Sequence, residues 1–323
     1  MNDFLAGDIG GTNTRLAVIE VEGVRVNILR TATYQSSAYP TFAALLEEFL
    51  GGTTAPLHAA FGVAGPVRGR AVQATNLPWH IDADALQQHF GFARCTLLND
   101  LEATAQGIAA LGESALLSLQ AGAPNACGNA AVIAAGTGLG EAGLFWDGQR
   151  HHPFATEGGH SSFSPGNELE SALLHHLQQQ YAHVSWERVV SGMGIESLHE
   201  FLRVYRGSVT PAWLAEQMRA GDAAAAIAGA AATDEICAET MACFVRLYGA
   251  EAGNLALKLN SSGGLYLGGG IAPKILPLLQ SGAFLAAFLA KGRMRHLLEA
   301  MPVRVILDDR AALFGAALCA ARP

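Results

Sequence analysis

Two short segments combine glycines with groups able to hold phosphate or a divalent cation. In the first, Gly7-Asp8-Ile9-Gly10-Gly11-Thr12-Asn13-Thr14-Arg15, a strand runs into a turn. Gly10 and Gly11 bring backbone N–H groups to the surface there, and Thr12 and Asn13 add side-chain donors. Successive N–H groups of this kind can cradle phosphate oxygens. Asp8, at the strand end, offers the carboxylate oxygen that Mg²⁺ prefers, directly or through water. Gly-Gly alone more often means a plain β-hairpin; the acid before the turn and the polar pair after it favour the phosphate reading. The second segment is Ala135-Gly136-Thr137-Gly138-Leu139-Gly140. Strand-like residues follow it where a dinucleotide fingerprint would open a helix, and it lacks the Gly-Lys-Ser/Thr of a Walker A loop. Two opposed turns of this type can hold a nucleoside triphosphate. A third stretch, 262–271, sets glycines, including Gly269 and Gly270, on both sides of a short strand. Backbone there can lie against a flat adenine, or a helix can pack close to the strand.

The elements that must position these turns repeat one plan. Strands at 4–6, 15–20 and 24–29 form an antiparallel meander, followed by a helix at 41–50, a strand at 59–63, a short helix after Ile81, a strand at 96–98 and a helix at 100–111. From Ala130 the grammar recurs: a strand at 131–134, the Gly136–Gly140 turn, a return strand at 142–146 and another strand outward. A helix at 167–180 has Asn167 and Glu170 at capping-box spacing. A long helix at 233–260, a strand at 265–267, a last strand at 303–307 and a C-terminal helix from Arg310 complete the chain. Two α/β units of this kind imply a two-lobed enzyme with a cleft.

Composition narrows the function. The chain has 323 residues, of which 50% are hydrophobic and 15% charged, so it can bury enough apolar surface to fold. It carries 37 Gly, where average usage gives about 23. The net charge of −8, with both signs interspersed, argues against a nucleic-acid partner. Five scattered Cys form no C-x-x-C pair, which points to a reducing cytoplasm and no zinc knuckle. The N-terminus has no signal-peptide pattern, and the longest small-apolar run, 223–232, is half the ~20 residues needed to span a bilayer. No membrane is expected as a partner.

GDIGGTNTR, LLNDLEATA, AAGTGLG, EGGH, SWERVVSG and GGLYLGGGIAPK, in this order across the chain, resemble bacterial ATP-dependent glucokinases of the sugar kinase/Hsp70/actin superfamily. The resemblance implies the two-lobed actin-like ATPase (ribonuclease H-like) α/β fold, each lobe a mixed sheet flanked by helices. Residues 1–110 plus 301–323 are expected as the small domain and 111–300 as the large one. It implies transfer of phosphate from ATP, with Mg²⁺, to the 6-hydroxyl of glucose, the entry step of glycolysis, by a cytoplasmic homodimer. His160 is followed by Ser161-Ser162-Phe163 rather than by cysteines, so the chain departs from the zinc-containing ROK branch, and zinc is not expected.

Under this resemblance the site residues acquire roles. Asn99 and Asp100 stand at a helix start, where both are common caps; Asp100 matches the family's catalytic acid, which takes the proton of the attacking hydroxyl, and Asn99 binds neighbouring hydroxyls. Phosphoryl transfer needs one such acceptor beside metal, backbone donors and alignment. In Glu157-Gly158-Gly159-His160 the glycines let the backbone approach a ligand while Glu157 and His160 reach sugar hydroxyls. Glu187, early in a helix after Ser185, matches a sugar-binding acid, and Gly138 lies near sugar and phosphate. The nucleotide set is Gly10, Gly11, Thr12, Asn13, Gly136, Thr137, Gly138, Gly269 and Gly270, with Asp8 for the metal. Trp79 belongs to the cleft wall or the core. Met193, Phe154 and Phe163 read as core, and Asp308-Asp309 as the cap of the last helix. A sugar-sensing regulator, an ATPase with a conformational output, and a kinase for mannose or fructose are the alternatives.

Overall fold

The computed structural model describes residues 3–322. The chain divides into two compact units. One contains the residues through Leu116, with Ala142–Ala155 and the segment from Asp308; the other contains Leu117–Glu141 and Thr156–Leu307.

The first unit is built on a five-stranded mixed sheet. Strands β1 (Asp3–Ile9), β2 (Asn13–Glu22) and β3 (Arg25–Gln35) form the antiparallel meander. Helix α1 (Phe42–Leu50) follows, with Thr41 as its N-cap and Gly51 closing it at φ +57°. Strand β4 (His58–Val63) then pairs in parallel with β1. A three-stranded sheet of β5 (Val67–Arg68), β6 (Ala71–Gln73) and β7 (His80–Asp82) lies between β4 and α2 (Ala83–Phe90) in the chain. Strand β8 (Arg94–Asn99) completes the main sheet in the order β3-β2-β1-β4-β8. β1 is buried along almost its whole length, as a central strand must be.

Helix α3 (Asp100–Gly107) opens directly from β8, and a 3-10 turn carries the chain on to Ala110. The C-terminal helix, Ala311–Ala320, has every residue buried. The two helices touch backbone to backbone: a Cβ on Gly107 would overlap the Ala311 carbonyl, and one on Gly315 the Ala103 carbonyl. This contact fixes the axis of the helix whose first residue is Asp100.

A six-stranded sheet comprises β9 (Leu116–Gln120), β10 (Ala130–Ala135), β11 (Leu139–Trp146), β12 (His151–Thr156), β13 (Gly264–Gly268) and β14 (Val303–Ile306), in the order β12-β11-β10-β13-β14-β9, with β10, β13 and β14 wholly in the second unit. The hairpin segment Ala142–Ala155 groups with the first unit. Helices α4 (Glu168–Gln178), α5 (Gly192–Tyr205), α6 (Ala212–Ala220), α7 (Ala223–Ala230), α8 (Glu235–Leu259), α9 (Leu276–Gln280), α10 (Ala283–Leu289) and α11 (Arg295–Glu299) accompany this sheet. α8 is the spine: Phe244, Leu247, Tyr248 and Leu255 are buried in one core with Ile133, Leu265 and Leu267 of the sheet. Tyr248 donates its hydroxyl to the Ile133 carbonyl at 3.2 Å.

The structure draws the domain boundaries differently from the sequence. β14 pairs in parallel with β13, which keeps residues 303–306 in the second unit and moves the final crossing to Asp308. The short strands β5–β7 and β9 are absent from the sequence reading. Among the described residues no single helix is long and apolar enough to cross a membrane.

Candidate active site

In the first unit, the turn after β1 is closed by the Gly10 N–H, which donates to the Asn13 carbonyl at 2.9 Å. Ser36 braces it from below, its hydroxyl donating to the Gly10 carbonyl at 2.9 Å and lying 3.0 Å from Thr14 Oγ1. Gly11 lies against Asn76, while Thr12 and Asn13 are exposed at the rim. Asp8 lies at the end of β1, level with Arg15 of β2. Burial and the Asp100 charge push its carboxyl up to about 6, and Asp309 adds to this while Arg15 opposes it. A buried carboxyl whose proton affinity a neighbouring acid raises makes a place for a cation. Asp8 therefore fits Mg²⁺. Among the described residues no three His, Cys, Asp or Glu side chains group as a metal centre, so the ion would keep most of its waters, as Mg²⁺ commonly does.

Asn99 and Asp100 occupy the junction of β8 and α3. Asn99 is the N-cap: its Oδ1 accepts from the Leu101 and Glu102 N–H groups at 3.0 and 3.4 Å, and its Nδ2 donates to the Gly65 carbonyl at 3.1 Å. The capping role is thus realised, and it holds the β4 exit loop as well. Asp100, half-buried, accepts the Leu101 N–H on Oδ1 at 2.9 Å. Asp308 and Asp309 are not the cap of the last helix. Arg310 holds the N-cap position, with no side-chain cap bond. Asp308 bonds Arg310, and Asp309 forms a two-pronged pair with Arg15 at 3.2 and 2.8 Å, which ties the C-terminal segment to the Asp8 strand.

In the second unit, the Gly136 N–H donates to the Gly138 carbonyl at 2.9 Å, and the Gly136 carbonyl accepts from Gly192 N–H at 2.8 Å. Glu187 stands on a 3-10 turn, Trp186–Arg188, rather than in a helix. Trp186 anchors that turn in the core against Phe163, at 5.0 Å between ring centroids. Glu187 Oε2 accepts the Leu139 N–H at 3.0 Å, and Gly138 lies so close that a Cβ would overlap this oxygen. His160 bridges the remaining acids, with Nδ1 4.0 Å from Glu187 Oε1 and Nε2 3.9 Å from Glu157 Oε2. Gly138, Glu157, His160 and Glu187 are therefore brought together, a set of acceptors and a ring donor suited to a polyol. The glycines between Glu157 and His160 serve neighbours inside the protein: Gly159 packs on the Leu139 carbonyl and Gly158 on the Glu141 carboxyl.

Next to this cluster lies a cavity of about 530 Å³ lined by Gly136, Thr137 and Gly270 among the expected residues, and by Met193, Glu196, Asp222 and Lys274 beyond them. Its apolar walls are Ile195, Ala224, Ala225, Ala228, Ile271 and Ile275. Gly269, at φ +78°, packs on the Ala135 carbonyl instead of lining the cavity. Met193 is 39% exposed and Phe154 41%, so neither belongs to the core, whereas Phe163 and Trp79 do. Lys274 closes the GGLYLGGGIAPK motif, and Glu196 lies one helical turn beyond Met193. Met193, expected in the core, lines the cavity instead, and Glu196 and Lys274 join it without any local sequence signal that marks them.

The glucokinase family model matches residues 5–323. The chain belongs to the glucokinase family. A glucokinase of Nostoc punctiforme is 42% identical over 340 residues, covering 100% of both chains. The crystal structure of a glucokinase from an Antarctic psychrotroph superimposes with a TM-score of 0.87 at 32% identity, over 99% of each chain. A ROK family glucokinase from Streptomyces griseus, solved with glucose and AMPPNP, shares the fold with a TM-score of 0.65 at 23% identity, over 99% of each chain. The fold is accordingly that of the actin-like sugar kinases, and the activity class is phosphorylation of glucose by a kinase.

Proposed function

We propose that the protein transfers the γ-phosphoryl group of ATP to the 6-hydroxyl of D-glucose, giving glucose 6-phosphate and ADP, with Asp100 as general base. The observation that carries this reading is the convergence of Glu157, His160 and Glu187 on the Gly138 turn. A nucleotide-driven conformational machine has no need of such a set. Polar groups that become buried against a bound sugar discriminate between epimers, because a misplaced hydroxyl leaves them unpaired.

Glu157, His160 and Glu187 hold sugar hydroxyls, and Glu187, fixed on Oε2 by the Leu139 N–H, presents Oε1 to the ligand. The nucleoside fits the second unit's cavity, its base between the Ala and Ile walls and its ribose hydroxyls within reach of Glu196. In the second unit Thr137 and the Gly138 N–H are the groups offered to phosphate, and in the first unit the Gly11 N–H with Thr12; the Gly136, Leu139 and Gly10 N–H groups are engaged by Gly138, Glu187 and Asn13. Mg²⁺ bound through Asp8 would supply neutralisation of phosphate charge. Asp100, its Oδ1 held at the start of α3, accepts the 6-hydroxyl proton as the new P–O bond forms. The reading also makes the protein a cytoplasmic homodimer, checked for mass by light scattering.

A coupled ADP-release assay over a panel of hexoses and phosphoryl donors tests it. Glucose with ATP and Mg²⁺ is expected to give the highest kcat/KM. Equal rates with mannose or fructose would reassign the sugar, and equal rates with polyphosphate would remove the nucleoside role of the cavity. Calorimetric titration with glucose in the absence of nucleotide must show binding, or the chain is an ATPase of another kind.

A further inference from the structure

Beneath the 157–160 turn lies an acid that phosphoryl transfer does not use. Glu141 of β11 is 2% exposed and Glu251 of α8 is fully buried. The charge of Glu251 raises the proton affinity of Glu141, and two ionised carboxyl groups buried this close would repel, which favours a proton on one of them. The surroundings of Glu251 decide which. Asn254 Nδ2 donates to its Oε2 at 2.8 Å and Lys258 Nζ to its Oε1 at 3.3 Å. Lys291, after α10, bonds Asn254 Oδ1 at 2.6 Å and the Ala250 carbonyl at 2.8 Å, which adds a second positive charge. Glu251 is therefore the carboxylate and Glu141 the neutral acid. Glu141 Oε1 is buried without a hydrogen-bond partner, a position far less costly for a neutral oxygen than for an ionised one.

The roof over this pair is the turn itself. Gly158 packs directly on Glu141, so closely that a Cβ would overlap Oε2. Thr156 stitches the two segments, its Oγ1 donating to the Glu141 carbonyl at 3.0 Å and accepting the Gly158 N–H at 3.2 Å. We propose that Glu141, buried directly under Gly158 and tied to it through Thr156, is a positioning residue that sets the height of the 157–160 turn and with it the affinity for the sugar. The proposal rests on the assignment of that turn to sugar binding made above.

Burial and the charge of Glu251 push Glu141 up to about 8, with Lys258 opposing. The charged groups facing Glu141 are Glu251 and Lys258 of α8, with Lys291 behind them. A carboxyl raised from 4.5 to about 8 in the fold contributes its full stabilisation below pH 4.5 and loses it as pH rises through about 8. Above that point two carboxylates repel in a dry pocket, and the turn that roofs them is displaced.

The test measures glucose KM and kcat at about pH 6.5 and about pH 9 for the wild type, Glu141→Gln and Glu157→Gln. Wild-type KM is expected to rise about threefold or more across this interval while kcat changes less, and Glu141→Gln, which cannot ionise, should show a KM ratio near one. A flat wild-type KM, or a wild-type ratio in Glu141→Gln, overturns the positioning role. If Glu141→Gln does not fold, Glu251→Gln removes the charge that adds to the effect of burial on Glu141 and must move the rise in KM to lower pH; an unmoved KM profile there also overturns it. Glu157→Gln checks the underlying assignment separately. Its glucose KM at about pH 6.5 must exceed the wild-type value, and an unchanged value removes sugar binding from this turn whatever Glu141→Gln does.

Discussion

Each unit holds a crowded pair of acids, and the two pairs resolve the crowding in opposite ways. Asp8 and Asp100 raise the proton affinity at the end of β1, but both are half-buried beside a turn whose rim residues Thr12 and Asn13 are exposed. A cation can replace the proton there. Glu141 and Glu251 are sealed under Gly158 with lysines behind them, so the proton stays and the acid becomes scaffold. The difference in exposure, more than any difference in residue type, separates acids that can meet a ligand from an acid that shapes the site from below.

The sharpest way to break this comparison is at Asp100. If Asp100 is the base, Asp100→Asn lowers kcat by about 10²–10⁴ while calorimetric glucose binding survives; near-normal turnover sinks the assignment. Asp8→Asn should come next. It removes the carboxylate offered to Mg²⁺, and the half-saturating Mg²⁺ concentration is expected to rise by about tenfold with a fall in kcat. An unchanged Mg²⁺ titration would place the metal elsewhere.

Gly158→Ala probes the sealed pair. The added methyl meets the buried Glu141 carboxyl. Overpacking of this kind costs about 1–3 kcal/mol, and because the strain falls on the 157–160 turn, glucose KM should rise about tenfold with a smaller change in kcat. If KM holds while the urea midpoint falls, the turn is structural and takes no part in sugar affinity.

What the sequence made legible follows the range of its signals. Long periodic segments announce themselves: α8, predicted over 233–260, runs Glu235–Leu259 behind its Asp234 cap. The strands β5–β7 are two or three residues long and too short for any periodicity to register. The glycine turns stood out because glycine and polar residues cluster locally, and the Glu157–His160–Glu187 grouping was legible only through family resemblance, since Glu187 is distant along the chain. The glycines between Glu157 and His160 showed where backbone comes close to something, but not that the neighbours are Leu139 and Glu141. Asp309 was misread because its partner, Arg15, is 294 residues away. Glu251 did leave a signal, as an acid on the apolar face of a long helix; its partner Glu141, a single acid in a strand, left none.

Asp309 supports the smallest prediction. Its pair with Arg15 has good two-pronged geometry, yet the Asp309 side chain is 78% exposed, and exposed pairs contribute about 0–1 kcal/mol. Asp309→Ala should therefore leave the urea midpoint nearly unchanged. Its effect on the first acid pair runs through charge: Asp309 raises Asp8 and draws on Arg15, so its loss lets Arg15 act on Asp8 alone and favours the ionised carboxylate. The same Arg15 charge then competes more strongly with the cation. The net change in half-saturating Mg²⁺ is expected to be an increase of about twofold, diminishing as salt is added, because interactions at this exposure are screened. A change as large as that of Asp8→Asn would mean that Asp309 itself holds the metal, and the first unit's acid pair would have to be redrawn as a triad.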